Sequence, residues 1–194
     1  MSLSINFLYI VKACSLWKRA RKNNMADNII LIGFMGVGKG RTARALADQT
    51  GRFTVDTDDL IESMVNMKIR DVFAAQGEAA FRRLEQKTAD WLEYHVSGTV
   101  VSTGGGFFNV SNLNRLGKVV YLHSTVEDIY HSICNHPNAK KKMKKRPLLT
   151  DLKQAEKLFR ERLPQYRKLA DREIVVTGKT SQERAEEIAD YLRE

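Results

Sequence analysis

Residues Asn28 to Ile32 read NIILI, a continuous apolar run that ends in glycine. Such a run without alternation suits a strand buried on both faces of a parallel sheet. From residue 39 to 50 the period lengthens to that of a helix, with Ala43, Ala45, Leu46 and Ala47, and it stops at Gly51. Phe53 to Val55 predicts a second strand ending at Asp56. Asp58–Val65 and Ile69–Ala75 predict short helices, and Gly77–Tyr94 a long one with Phe81, Leu84, Thr88, Trp91 and Leu92 on one stripe. Thr99–Val101, Lys118–Leu122 (KVVYL) and Glu173–Val176 read as three further strands. Val126–Ile133, Leu152–Leu169 and Gln182–Leu192 read as helices, the second despite Pro164. Residues 135–150 are polar and basic, with Pro137 and Pro147, and predict a mobile loop.

Strands alternating with helices pair in parallel through right-handed crossovers. The expected fold class is therefore α/β, a three-layer α/β/α sandwich around a five-stranded parallel sheet. Ligands of such sheets bind beyond the carboxyl ends of the strands. The loops after strands one, two and three carry Gly33–Lys39, Asp56–Asp58 and Gly104–Gly106, so these should meet at one site.

The formal charge of +9 changes this picture little once it is located. Residues 1–25 contain Lys12, Lys18, Arg19, Arg21 and Lys22 and no acid, and the run AKKKMKKR (139–146) holds six more cations. The rest of the chain is slightly acidic, which is not the broad basic surface of a nucleic-acid binder, and aromatics are not interleaved with the positives. The apolar run INFLYIV precedes its positive charges and is cut at Lys12, so it suits neither a signal peptide nor a membrane span. Residues 1–25 read as an N-terminal extension, poorly ordered or foreign to the domain, with Met25 an alternative start. The domain is expected over 26–194. Cys14 and Cys134 form no CxxC and fit a reducing cytosol, and the four histidines lack metal-ligand spacing.

The chemistry concentrates in three short stretches. GFMGVGK (33–39) follows a strand and opens a helix, the setting a phosphate-binding loop requires. Its glycines let backbone N–H groups turn toward phosphate oxygens at the positive end of a helix, and Lys39 can reach the β and γ phosphates. Asp56 and Asp58 stand two residues apart at a strand end. One can hold a magnesium-bound water and the other accept a hydroxyl proton, while helix capping is the bland reading for either. Arg82 and Glu85 lie one helical turn apart and can pair, ordinarily at a surface. Gly104-Gly105-Gly106 marks a backbone that a ligand approaches closely. Arg146 and Arg162 offer forked donors for carboxylate or phosphate.

Seven stretches in order, GFMGVGK, DTDDLIE, IRDVFAAQGEAAFRRLE, VVSTGGGF, VVYL, KRPLL and ERLPQYRKLA, give the chain a resemblance to the shikimate kinase family over nearly all of residues 28–193. The GE..FR..E run, the triple glycine and RPLL separate it from gluconate kinases and nucleoside monophosphate kinases. The resemblance implies the P-loop kinase fold with a lid at about residues 135–150. It implies ATP and Mg2+ as cofactors and phosphorylation of the 3-hydroxyl of shikimate, on the route to chorismate and aromatic amino acids. Asp58 would bind the substrate hydroxyls and act as base. Asp56 would place magnesium through water. Arg82 and Arg162 would clamp the shikimate carboxylate, with Gly104, Gly105 and Gly106 lining the pocket. Gly36, Val37, Gly38, Lys39, Gly40, Arg41 and Arg146 would surround the nucleotide, Lys39 and Arg146 taking part in the transfer. A cytoplasmic monomer, without nucleic-acid or membrane partners, is the expectation.

Two positions depart from the family pattern. Ser or Thr normally follows the loop lysine, and here Gly40 and Arg41 stand instead. Thr42 cannot substitute, because two helical residues turn its side chain by about 200°. A further water on magnesium, a contact from Arg41 to the phosphates, or impaired transfer are the three outcomes. The first is expected, since magnesium commonly keeps several waters. The alternative is a catalytically impaired P-loop protein that still binds shikimate or nucleotide. The second departure is Ser132, where related kinases often carry an arginine over the adenine.

Overall fold

The computed structural model describes residues 27–144 and 146–194; the predicted extension, residues 1–25, lies outside them. Five strands, β1 (Asn28–Ile32), β2 (Thr54–Asp56), β3 (Val100–Ser102), β4 (Gly117–His123) and β5 (Arg172–Val175), pair in parallel in the order β2-β3-β1-β4-β5. All five residues of β1 are buried, as expected of a central strand covered on both faces. Helices α1 (Lys39–Thr50), α2 (Thr57–Val65), α3 (Ile69–His95), α4 (Val126–Cys134), α5 (Ala139–Lys144), α6 (Leu152–Leu169) and α7 (Ser181–Tyr191) flank the sheet. The core runs from Ile29–Ile32 through Leu46, Val101, Val119–Leu122, Phe159 and Ile188.

Strand register sets which side chains meet at the carboxyl end of the sheet. Asp56 on β2 sits opposite Ser102 on β3, so their side chains share that end. Asp56 then caps α2, accepting a bond from the Asp58 N–H at 3.0 Å. The reading of an aspartate as a helix cap is correct for Asp56, and it coexists with a place at the site. The two helices predicted on either side of residue 76 run on as α3, broken at Gly77, where φ is 75° and ψ 177°.

Two expectations need correction. Trp91 is not on the buried stripe of α3; it is 45% exposed, and the buried face is Phe81, Glu85, Thr88, Ala89 and Leu92. Positions 81, 85, 88 and 92 are spaced by four, three and four, and Trp91 falls one step outside that line. Residues 135–150 are also not one irregular loop. They contain α5 and a 3-10 turn at Pro147–Thr150. Lysine is a good helix former, and Met143 packs against the core, so a polar lysine run can still take a short helix.

Candidate active site

The loop after β1 wraps into the first turn of α1. Gly36 and Gly38 hold φ of 85° and 107°, which a side chain would resist, and Gly38 forms the N-terminal cap of α1. The Arg41 N–H donates to the Gly38 carbonyl at 3.0 Å, which leaves the N–H groups of Gly38, Lys39 and Gly40 at that end for an anion. Val37 is in the core and its N–H donates to the Phe34 carbonyl at 3.3 Å, so it holds the loop in shape. Lys39 is only 8% exposed and donates from Nζ to the carbonyls of Gly33 (2.7 Å) and Phe34 (3.1 Å). Burial lowers its pKa to about 8, against the pull of Asp58 and Asp56. Arg146 and Arg162 stand close enough to lower it further.

Asp58 is the acid of this site. Its Oδ1 is buried and without a hydrogen-bond partner, and it lies 2.6 Å from where a Cβ on Gly104 would fall. Burial and the neighbouring Asp56 carboxylate push its pKa up to about 7, against the pull of Lys39. An acceptor with a pKa near neutrality and an unused oxygen is suited to taking a proton from a hydroxyl.

Behind Asp58 the arginines gather. Arg82 on α3 donates to Glu85 at 2.5 Å and to Glu78 at 2.6 Å. Glu85 is 1% exposed, so this is no surface salt bridge but a buried carboxylate fixing a half-exposed guanidinium. Its Oε1 is a second buried oxygen without a partner, 3.4 Å from the Gly104 Cβ position. A Cβ on Gly106 would collide with the Arg82 guanidinium. Arg162 on α6 donates to the Gly105 carbonyl at 3.0 Å, and Tyr166, one turn on, donates to the same oxygen at 2.6 Å. Gly104 and Gly106 are thus needed for space, against Asp58 and Arg82, whereas Gly105 contributes its carbonyl to Arg162 and Tyr166. The Met35 N–H lies 3.5 Å from the Gly105 Cβ position, which joins the first loop to the third.

Gly40 faces Asp56. A Cβ placed there would sit 3.7 Å from Ser102 Oγ, 3.7 Å from Arg44 Nη1 and 3.8 Å from Asp56 Oδ2. Ser102 donates to Asp56 Oδ2 at 2.7 Å. Thr42 is fully buried, with its hydroxyl unpartnered, and cannot serve in place of residue 40. The groups beside Gly40 that could face a metal are one carboxylate and one hydroxyl, both oxygen, with the Arg44 guanidinium as the neighbouring cation. That set fits a magnesium ion that keeps most of its waters and takes its other ligands from phosphates. Among the described residues no group of three or more His, Cys, Asp or Glu side chains forms a metal site of its own.

The expected residues therefore converge with two qualifications. Arg146 donates to the Lys142 carbonyl, at 2.9 Å, rather than to a site residue. Arg41 is exposed. Sequence reasoning missed Ser102 and Tyr166, and it placed the Arg82–Glu85 pair at a surface where Glu85 is buried. Ser102 is visible only once β2 and β3 are in register. Tyr166 carries a weak local signal, four residues after Arg162 on a helix.

The family model of shikimate kinase matches residues 35–193. A shikimate kinase of Helicobacter hepaticus is 36% identical over 155 residues, covering 80% of this chain and 89% of its own. One of a Sulfurihydrogenibium species is 38% identical over 171 residues, covering 86% and 98%. Among solved structures, a shikimate kinase of Acinetobacter baumannii in complex with shikimate superposes with a TM-score of 0.76 at 29% identity, covering 91% of this chain and 96% of that one. With the loop, the acid and the arginines placed as above, the chain belongs to the shikimate kinase family.

Proposed function

We propose that this protein transfers the γ-phosphoryl group of ATP to the 3-hydroxyl of shikimate, giving shikimate 3-phosphate and ADP in chorismate and aromatic amino-acid biosynthesis. The observation that carries the reading is Asp58: a buried carboxylate with a free oxygen, between the phosphate loop and two arginines. Shikimate is a small anion with several hydroxyls, and this arrangement suits it. Arg82 and Arg162 hold the carboxylate, and Glu85 keeps Arg82 aimed. Asp58 accepts the proton of the attacking hydroxyl. Lys39 stays protonated at neutral pH and faces the transferring phosphoryl group. Gly36 to Arg41 bind the phosphate chain, and Arg146 joins it when the lid over residues 135–150 closes and excludes water. Bound Mg2+ would neutralise charge on the β and γ phosphates, and Asp56 and Ser102 would orient its waters.

We read the enzyme as a cytoplasmic monomer. No helix among the described residues is long and apolar enough to cross a membrane. Shikimate-dependent ADP production with ATP and Mg2+ is the test, with gluconate and nucleoside monophosphates as controls. Turnover with shikimate alone supports the reading. Shikimate binding without turnover would favour the impaired protein that Gly40 brings to mind.

A further inference from the structure

The phosphate loop is met by an arginine from the far end of the chain. Arg184 lies in the first turn of α7, whose start is fixed by a capping box between Thr180 and Glu183. Its Nη2 donates to the Val176 carbonyl at 2.9 Å, and its Nη1 reaches the Val37 carbonyl at 3.4 Å. The same Nη1 lies 2.8 Å from where a Cβ on Gly38 would fall, and Arg41 Nη2 lies 3.8 Å from that point. Two guanidinium groups therefore meet beside the N-cap residue of α1. Arg184 Nε is buried and has no partner.

The lid adds to this cluster. Lys142 and Arg146 are lowered in pKa by burial and then by Arg41, and Arg184 likewise. His136 is lowered by burial, Lys142 and Arg41. The one acid felt by Arg184 is Glu183, which is spent on the helix cap. Among the described residues none of Arg41, Lys142, Arg146 and Arg184 is ion-paired with a carboxylate. Like charges gathered without a counter-charge, one of them with a buried unmet donor, are costly unless an anion completes them. Lys39 bonds to the Gly33 and Phe34 carbonyls, whereas Arg41 and Arg184 gather at Gly38.

We propose that Arg184, paired with Arg41, binds the phosphate chain of the nucleotide, so that α7 forms a wall of the nucleotide site. The pair supplies positive charge fixed to the protein next to the position where Gly40 withdraws a metal ligand. Nucleotide binding in this chain consequently leans less on Mg2+. The inference rests on the kinase reading and adds to it a residue from outside the loop, the acid pair and the lid.

The test is calorimetric titration of ADP into the wild type and Arg184→Gln, in Mg2+ and in EDTA, with shikimate titrated into the same samples. A charge-assisted bond to phosphate predicts about tenfold weaker ADP binding in both media, with shikimate affinity unchanged. Arg184→Lys, which keeps the charge and loses the fork, falls between. The wild type should lose less than about tenfold in ADP affinity when Mg2+ is removed. ADP affinity equal to wild type in Arg184→Gln overturns the proposal. So does a parallel loss of ADP and shikimate binding with a lowered melting temperature, which would make Arg184 a structural tie between α7 and the loop. If the Gln variant does not fold, Arg41→Gln at an exposed position carries the test, with severalfold weaker ADP binding expected and no change overturning the pair. A wild type that binds no ADP in either medium would remove the nucleotide site itself, a failure of the kinase reading distinct from that of Arg184.

Discussion

Restoring the loop hydroxyl, Gly40→Ser, probes how the metal is handled. The position is helical, the second residue of α1, and has no left-handed backbone to strain. The nearest atoms to a new Cβ lie at 3.7 Å or beyond, which is ordinary van der Waals contact. The Cβ therefore adds no steric cost, and replacing glycine in a helix should stabilise the fold by about 0.5 kcal/mol. That corresponds to a rise of about 1–2 °C in melting temperature for a chain of this size. On the metal, the new hydroxyl replaces one water by an oxygen already in place. A gain of about 1 kcal/mol there means the Mg2+ concentration for half-maximal activity falls about fivefold. With saturating metal, kcat should rise less than about threefold, because the displaced water ligated the same ion. The assay is shikimate-dependent ADP release over a magnesium titration, beside a thermal melt. An increase of about a hundredfold or more in kcat at saturating Mg2+ would refute this reasoning and make Gly40 the lesion of a retired enzyme. A drop in melting temperature would refute the packing argument.

Asp58→Asn should reduce kcat by about a hundredfold or more, the range of lost general-base catalysis, while shikimate still binds. The same variant tests the ionisation of Asp58. The folded chain keeps a proton on Asp58 up to about pH 7, whereas its ordinary pKa is 3.8, so stability of the ligand-free protein falls as pH rises between these values. Relative to wild type, the Asp58→Asn variant should gain on the order of 2–3 kcal/mol in urea unfolding between about pH 5 and pH 8, and parallel curves would contradict the buried charge. Glu85→Ala frees Arg82 and should raise the KM for shikimate about tenfold or more with ADP affinity unchanged, as measured by steady-state kinetics and titration. Gly106→Ala drives a methyl into the Arg82 guanidinium and should also raise the shikimate KM while the melting temperature changes little. An unchanged KM there would mean that Arg82 does not contact the substrate.

What could be read along the chain, and what could not, divides by distance in sequence. α6 begins and ends where expected, at Leu152 and Leu169, because Asp151 caps its first turn and the apolar period continues past Pro164. The phosphate loop is visible because strand, glycines, lysine and helix are consecutive. Glu85 was within view as a partner of Arg82, yet its burial was not, since a carboxylate on the core face looks the same in sequence as one facing water. Ser102 meets Asp56 across 46 residues, and Arg184 meets Val37 across 147. Parallel strands are never joined by a tight turn, so the contacts that finish such a site come from crossovers of a length that no local pattern encodes. The same topology explains why a lost side chain at residue 40 need not silence the loop. The strand ends bring oxygen from β2 and β3 beside the glycine, next to the Arg44 guanidinium of α1, and these are ligands and charge that do not depend on it.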